Sequence, residues 1–185
     1  MHPMPEVNVL FTSAGRRVEL LRAFRAAYKT LGLRGSVLAA DVDPLAPCLQ
    51  VADKGYMVPR LDSPAYIPVL TAICRSERVH LVFPLIDPDI PVLAANRREL
   101  EETGAILGVV PFAATQIAAD KWLTRQFFAS LDLKTPQSWL PIDVQPDLLE
   151  YPVFVKPRNG SAGKSAFRVN TPAELAFFLQ YVPQA

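Results

Sequence analysis

The run Tyr151-Pro-Val-Phe-Val-Lys156-Pro-Arg158-Asn-Gly160-Ser161-Ala-Gly163-Lys164-Ser-Ala-Phe-Arg-Val169 decides how this chain is read. A short apolar stretch, Val153 to Val155, ends on Lys156. A loop with Gly160, Gly163 and Lys164 follows, and a second apolar stretch runs from Ala166 to Val169. Glycines let backbone N–H groups approach a polyanion with no Cβ in the way, and lysines place positive charge beside them. The combination suits the phosphates of a nucleotide.

Two kinds of phosphate loop compete. Gly163-Lys164-Ser165 matches the end of Gly-x-x-x-x-Gly-Lys-[Ser/Thr], but Arg158 stands where that motif needs its first glycine. Such a loop must also open a helix whose N-terminus faces the phosphate. Here Ala166-Phe-Arg-Val-Asn170 alternates with period two, and Thr171-Pro-Ala-Glu174 reads as a separate helix start with a capping box. The loop therefore joins two strands as a flap.

Upstream, Asp120-Lys121-Trp-Leu-Thr-Arg-Gln-Phe-Phe-Ala-Ser-Leu-Asp-Leu-Lys-Thr-Pro136 supplies a second element in the right order. Together the two stretches resemble the N-terminal lobe of ATP-grasp ligases. The rest of the chain is similar to the domain that precedes this lobe in proteins like the carbamoyl-phosphate synthase large subunit. The resemblance covers essentially the whole chain. It implies that Lys156 and the flap (Gly160, Ser161 and Gly163) hold ATP phosphates, with Lys121 touching them from the other side. Arg158 and Lys164, beside and within the flap, are further phosphate candidates, against the reading of solvated charges. For Lys156 the bland alternative is a side chain snorkelling to solvent; for Lys121 it is an ordinary first-turn lysine.

The chain has 185 residues, a formal net charge of +1, 50% hydrophobic and 20% charged residues. This affords a sizeable core and argues against disorder, and the small charge gives no reason to expect a nucleic-acid or membrane partner. Cys48 and Cys74 lie far apart with no histidine cluster, which speaks against a metal site and for reduced thiols in a cytoplasmic protein. No apolar run reaches the ~20 residues of a membrane span, and no signal-peptide pattern opens the chain.

Between residues 7 and 110, short apolar runs alternate with helical patterns. Strands are expected at Val7–Phe11, Ser36–Ala40, Gly55–Val58, His80–Pro84 and Ala105–Val110. Helices are expected from Val18 to Tyr28, with Leu21 and Phe24 on the buried face, from Tyr66 to Cys74 and from Ile90 to Glu102. Strand–helix alternation with near-continuous apolar strands implies an α/β fold: an open, Rossmann-like parallel sheet covered on both faces. After Pro111 the character changes. Thr115 to Leu133 is mostly helical, with Leu123, Phe127 and Leu131 spaced for burial, and Ser138–Leu140 reads as a strand. Residues 143–150 form a loop, the flap hairpin follows, and a helix spans Pro172 to Tyr181. The expected domains are 1–111 and a small α+β lobe, 112–185.

The sequence stops soon after the flap lobe. By the resemblance, a further lobe carries the acidic magnesium ligands, the hinge against adenine and most of the acceptor site. Only Glu174 follows the flap as an acid, so magnesium is expected only in the complete enzyme and this chain is expected to be a front portion, inactive alone. The helix Pro172–Tyr181 and the flap sheet are expected to leave apolar surface for the missing lobe, a second chain or a homo-oligomer.

The first strand–helix loop, Thr12-Ser13-Ala14-Gly15-Arg16-Arg17, sits where an open parallel sheet presents its ligand crevice. It lacks the three glycines of a dinucleotide fingerprint, although Asp41 stands where a Rossmann oxidoreductase places its ribose-binding acid. In the ligase reading Gly15, Arg16 and Asp41 line a substrate crevice, with Arg16 as a planar fork for a carboxylate or phosphate. Asp87 and Asp89, one residue apart in a proline-stiffened loop, either orient an amine or cation or cap the helix that follows. His80 is expected to be structural. The chain thus reads as the N-terminal portion of an ATP-dependent carboxylate–amine ligase working through an acyl phosphate, with ATP and a small carboxylate or amine as partners. The alternatives are a non-catalytic ligand-binding regulatory module and, less well supported, a Rossmann oxidoreductase fragment.

Overall fold

A computed structural model describes residues 5–160 and 163–182. The chain separates into two compact units, Met1–Phe112 and Ala113–Ala185.

In the first unit β1 (Val9–Thr12), β2 (Val37–Asp41), β3 (Lys54–Met57), β4 (Leu81–Pro84) and β5 (Ile106–Leu107) form one sheet in the order β3-β2-β1-β4-β5. Every pairing is parallel, and Val9 stands in register with both Val37 and Leu81. Side chains alternate across a strand. Val9 and Phe11 of β1, with Val37 and Ala39 of β2, pack with Leu21 and Tyr28 of α1 (Val18–Leu31) and Cys48 of α2 (Pro47–Val51). On the other face Leu10, Leu38, Ala40 and Val82 meet Ile67, Leu70 and Ile73 of α3 (Tyr66–Ser76), Leu93 of α4 (Asp89–Ala95) and Leu100 of α5 (Arg97–Glu101). The α/β sheet with two covered faces is the architecture the apolar runs imply.

Several details differ from the sequence reading. The single helix expected over 90–102 is two, because the Asn96 side chain donates to Val92 O (2.8 Å) and its backbone leaves helical geometry at φ −106°, ψ 19°. Such local side-chain bonding competes with the helix. The fifth strand has two residues rather than six. It is an edge strand with Ile106 exposed, and Gly108 N makes a last contact to Val82 O (2.8 Å). Helix α2, five residues with Pro47 at its start, is too short to show a period and went unread. His80 is structural: its Nδ1 accepts from Asn8 N at 3.0 Å.

The second unit holds α6 (Phe112–Ala119) from its second residue on, α7 (Lys121–Ser130), a 3-10 turn (Pro146–Leu148), β6 (Val153–Val155), β7 (Phe167–Val169) and α8 (Pro172–Tyr181). β6 and β7 pair antiparallel with Val153 opposite Val169, so the glycine-rich run joins two strands and opens no helix. Val155, Val169 and Leu175 form a small core with Phe167 and Phe178. The cap of α8 follows its signature: Thr171 Oγ1 accepts from Glu174 N (3.2 Å), while Glu174 reaches back to Asn170 N (2.8 Å).

Two expectations fail in this unit. Ser138–Leu140 is not a strand, since β6 pairs only with β7 and no described backbone donor in 134–140 finds a backbone acceptor. The Leu123, Phe127 and Leu131 stripe is not buried, at 38%, 44% and 53% exposure. Apolar spacing creates a face to bury but does not supply the surface that buries it.

Gly35 shows how tightly the first unit is assembled. Its φ is +130°, and a Cβ there would lie 2.0 Å from the Val7 carbonyl oxygen. Gly35→Ala should cost about 2 kcal/mol or more and lower the first unit's Tm by roughly 10 °C in a thermal melt, whereas Leu45→Ala should stay within ~0.5 kcal/mol. Leu45 is 82% exposed. Equal melting of the two variants would contradict the packing described.

Candidate functional site

At the carboxyl edge of the parallel sheet the strand order reverses between β1 and β4, and the loops after these strands part. Open α/β sheets bind ligands at such a point. Asp89 is the most buried charged side chain there, at 0% exposure. It does not cap α4; its carboxylate accepts from Thr12 Oγ1 (2.6 Å) and Ser13 Oγ (2.9 Å), joining the start of α4 to the end of β1. Burial pushes its carboxyl above the usual carboxylate range, the two hydroxyls oppose that, and nearby Asp41 adds to it. Tyr66 is buried beside Thr12, its hydroxyl without a hydrogen bond of normal geometry.

Asp41 also faces inward. Its Oδ2 accepts from Gly15 N (2.7 Å) and its Oδ1 from Asp43 N (2.9 Å), so both oxygens hold backbone. This ties down a loop in which Ser13 (φ 48°) and Gly15 (φ 52°) both take left-handed conformations. Arg16 and Asp87 are exposed. Of the five residues read as substrate candidates, Asp41 and Asp89 are thus engaged in holding the first loop, Gly15 is what Asp41 holds, and Arg16 and Asp87 face solvent. The sequence reading missed the Thr12 and Ser13 partners of Asp89. Their only signal was two hydroxyl residues in a row at a strand end.

The second unit contains a cavity of about 550 Å³, lined among others by Lys121, Trp122, Trp139, Phe154, Lys156 and Arg158. Strand β6 delivers Lys156 at its end, where the side chain is exposed; the strand buries Val155 on one face and leaves Phe154 67% exposed on the other. Lys121 begins α7. Asp120, in extended conformation, caps that helix by accepting from Trp122 N (2.8 Å) and Leu123 N (3.2 Å). Lys121 Nζ donates to the carbonyls of Arg158 (3.3 Å) and Gly160 (3.0 Å) at the root of the flap. Burial lowers the ammonium's pKa, and the neighbouring Lys156 lowers it further. Both lysines line this cavity, an arrangement that can receive an anion.

Arg158 lines the cavity while its guanidinium forks onto Asp120: Nη2 donates to Oδ2, and Nε to Oδ1 at 3.3 Å. This partner holds the Asp120 carboxyl below the usual range. Gly160 (φ 115°) and Gly163 (φ 68°) both need the left-handed region that glycine reaches without strain. Lys164 is exposed in the turn. Ser161 lies outside the described residues. Nothing in the sequence signals the Asp120–Arg158 pair, whose members are far apart in the chain, or that Trp122 and Trp139 border the cavity. Among the described residues no group of three or more His, Cys, Asp or Glu is placed to hold a metal ion, and no helix is long and apolar enough to cross a membrane.

Residues 9–108 match the family described as PylC-like, N-terminal domain. A carbamoyl-phosphate synthase of Methanobrevibacter smithii is 32% identical over 123 residues, covering 63% of this chain and 32% of its own length. A formate-dependent phosphoribosylglycinamide formyltransferase of Nitratidesulfovibrio vulgaris is 30% identical over 186 residues, covering 93% of this chain and 44% of its own. The chain thus spans less than half the length of these curated relatives. In fold it is similar to the biotin carboxylase domain of the Hydrogenobacter thermophilus 2-oxoglutarate carboxylase, solved with MgADP, ADP and bicarbonate. The TM-score there is 0.61 at 22% identity, covering 95% of this chain and 40% of that one.

The buried Asp89 gives a pH-dependent signature. Its folded pKa lies above the unfolded value of about 3.9, so ionisation costs stability: the folded state holds its proton more tightly, and stability from this group falls as pH rises through the window above that value. The difference in Tm, parent minus Asp89→Asn, should therefore grow more positive between pH 7 and pH 4.5. A difference that is flat or reversed across that range contradicts the buried-carboxyl geometry.

Proposed function

Because the chain belongs to the PylC-like N-terminal domain family and, with its relatives, to the ATP-grasp ligases, we propose that it forms the front portion of an ATP-dependent carboxylate–amine ligase. The observation that carries this reading is the cavity with Lys121 and Lys156 on its wall, at the root of a glycine-rich flap. Two ammonium groups and the flap amides suit a polyphosphate, whose charge is spread over several oxygens. Trp122, Trp139 and Phe154 offer apolar surface beside the phosphate end.

In this reading the chain's own share is positioning and charge neutralisation. Lys156 and Lys121 hold the phosphates, and the flap at Gly160 and Gly163 lays its amides over them. The chemistry would pass the terminal phosphoryl group to a carboxylate, and an amine would then displace phosphate from the acyl phosphate. The crevice over β1 and β4, with Arg16 and Asp87 exposed beside the clamped Gly15 loop, is the proposed place for the acceptor. Magnesium supplies charge screening to such a transfer; no ligand for it is assigned among the described residues. The relatives, a carbamoyl-phosphate synthase and a formate-dependent formyltransferase, support a small carboxylate-like substrate.

The test is calorimetric titration with ATP and, separately, with NADH. The 185-residue chain is expected to bind ATP in the high-micromolar range or weaker, about −5 kcal/mol, and Lys156→Ala to weaken this roughly tenfold. Lys156 makes no hydrogen bond within the described residues, so the Lys156→Ala Tm should match the parent's. ATP affinity indifferent to Lys156, or NADH bound in preference to ATP, would overturn the reading.

A further inference from the structure

The sequence offers Arg158 as a phosphate candidate, yet its guanidinium is already paired. It meets Asp120 fork to fork, with Nη2 on Oδ2 and Nε on Oδ1. Asp120 is mostly buried, at 13% side-chain exposure against 37% for Arg158. The same Asp120 caps α7, and the first residue of that helix is Lys121. The backbone closes the circuit. Lys121 N donates to Arg158 O at 3.0 Å, and Lys121 Nζ donates to Arg158 O and to Gly160 O. One carboxylate thus holds the helix start and the guanidinium, while one lysine holds the two carbonyls flanking Asn159.

We propose that Arg158 is a positioning residue. Through Asp120 it sets the flap root on Lys121, and so fixes how Lys121 and the flap are presented to a polyphosphate. For its ligand this rests on the nucleotide reading above; for the flap root it stands on the geometry alone. A planar fork on a mostly buried carboxylate is a registration device that a lysine, with its single rotatable ammonium, does not reproduce. The pair also neutralises the acid that neighbours Lys121, so that an anion entering the cavity does not face a bare carboxylate.

Four variants separate positioning from direct contact: Asp120→Asn, Arg158→Gln, Arg158→Lys and the double variant Asp120→Asn/Arg158→Gln. Asparagine keeps the helix cap but loses the ion pair. Inorganic tripolyphosphate is the titrant. If Arg158 positions, each single variant weakens binding by roughly tenfold, Arg158→Lys does not rescue, and the double variant is no worse than either single, the mark of two residues acting as one unit. If Arg158 touches phosphate directly, Asp120→Asn leaves binding unchanged or tighter, Arg158→Lys stays close to the parent, and the effects add. Those outcomes would sink the proposal.

A ligand-free arm separates its failure from that of the nucleotide reading. The rate of tryptic cleavage after Lys164 should rise several-fold, and equally, in all four variants without any added anion. Unchanged cleavage overturns the flap-root role whatever the titrations show. A parent chain that ignores tripolyphosphate but whose variants show raised cleavage overturns the nucleotide reading and leaves the positioning role standing.

Discussion

Strand β1 is four residues long and every side chain in it is buried. It lies in the middle of the five-stranded sheet, paired on both edges, with Val9 and Phe11 on one face and Leu10 on the other. Such a strand cannot exist alone. Its backbone needs β2 and β4, and its two apolar faces need α1 and α2 on one side and α3 to α5 on the other. Most of the first unit follows from meeting those demands. The end of the strand inherits the consequence: Thr12, buried at 0% exposure, brings a hydroxyl into the interior, and that hydroxyl must have a partner. Asp89 supplies it, at the cost of burying a carboxylate.

This explains which parts of the fold were legible. Where a segment is covered on both faces, as in β1 and β2, the sequence is an unbroken apolar run, and the reading came out within about two residues. Helix α1 is equally clear because Leu21 and Tyr28 recur on one face; the structure adds that Gly32 closes it in the left-handed region at φ 63°. Legibility failed where the outcome depends on a neighbour. Ser138–Leu140 has strand-like residues but pairs with no strand among the described residues, and the α7 stripe has apolar spacing but stays 38% to 53% exposed. In both places the local pattern states a preference that only a partner surface can fulfil.

The chemistry-bearing residues divide the same way. Residue types in a row, such as Lys156-Pro-Arg158 with its glycines, are visible because they are contiguous in the chain. What each charge touches was not visible, because contacts link distant positions. Asp41 looked like a residue awaiting a ribose, and instead its two oxygens hold the amides of Gly15 and Asp43. Asp89 looked like a helix cap or a ligand, and instead closes on Thr12 and Ser13. An acid at the carboxyl edge of a parallel sheet thus has three uses, and the hydrogen-bond donors within reach decide among them.

The same reasoning bears on the flap. A hairpin loop built around Gly160 and Gly163 gains backbone freedom, which a phosphate site needs if amides are to wrap an anion, but freedom alone leaves the amides unplaced. The root therefore has to be fixed while the tip is left adaptable. In this chain the fixing is done by charge: Lys121 holds the carbonyls of Arg158 and Gly160, and Asp120 holds both the helix that carries Lys121 and the guanidinium of Arg158. Lys156 stands on the strand leading into the loop with no hydrogen bond of its own among the described residues; burial lowers the pKa of Lys121, and the charge of Lys156 lowers it further. One lysine is bound to the scaffold and the other makes no hydrogen bond among the described residues, so in the proposed phosphate site an anion would meet one cation whose position is already set and one that can adjust.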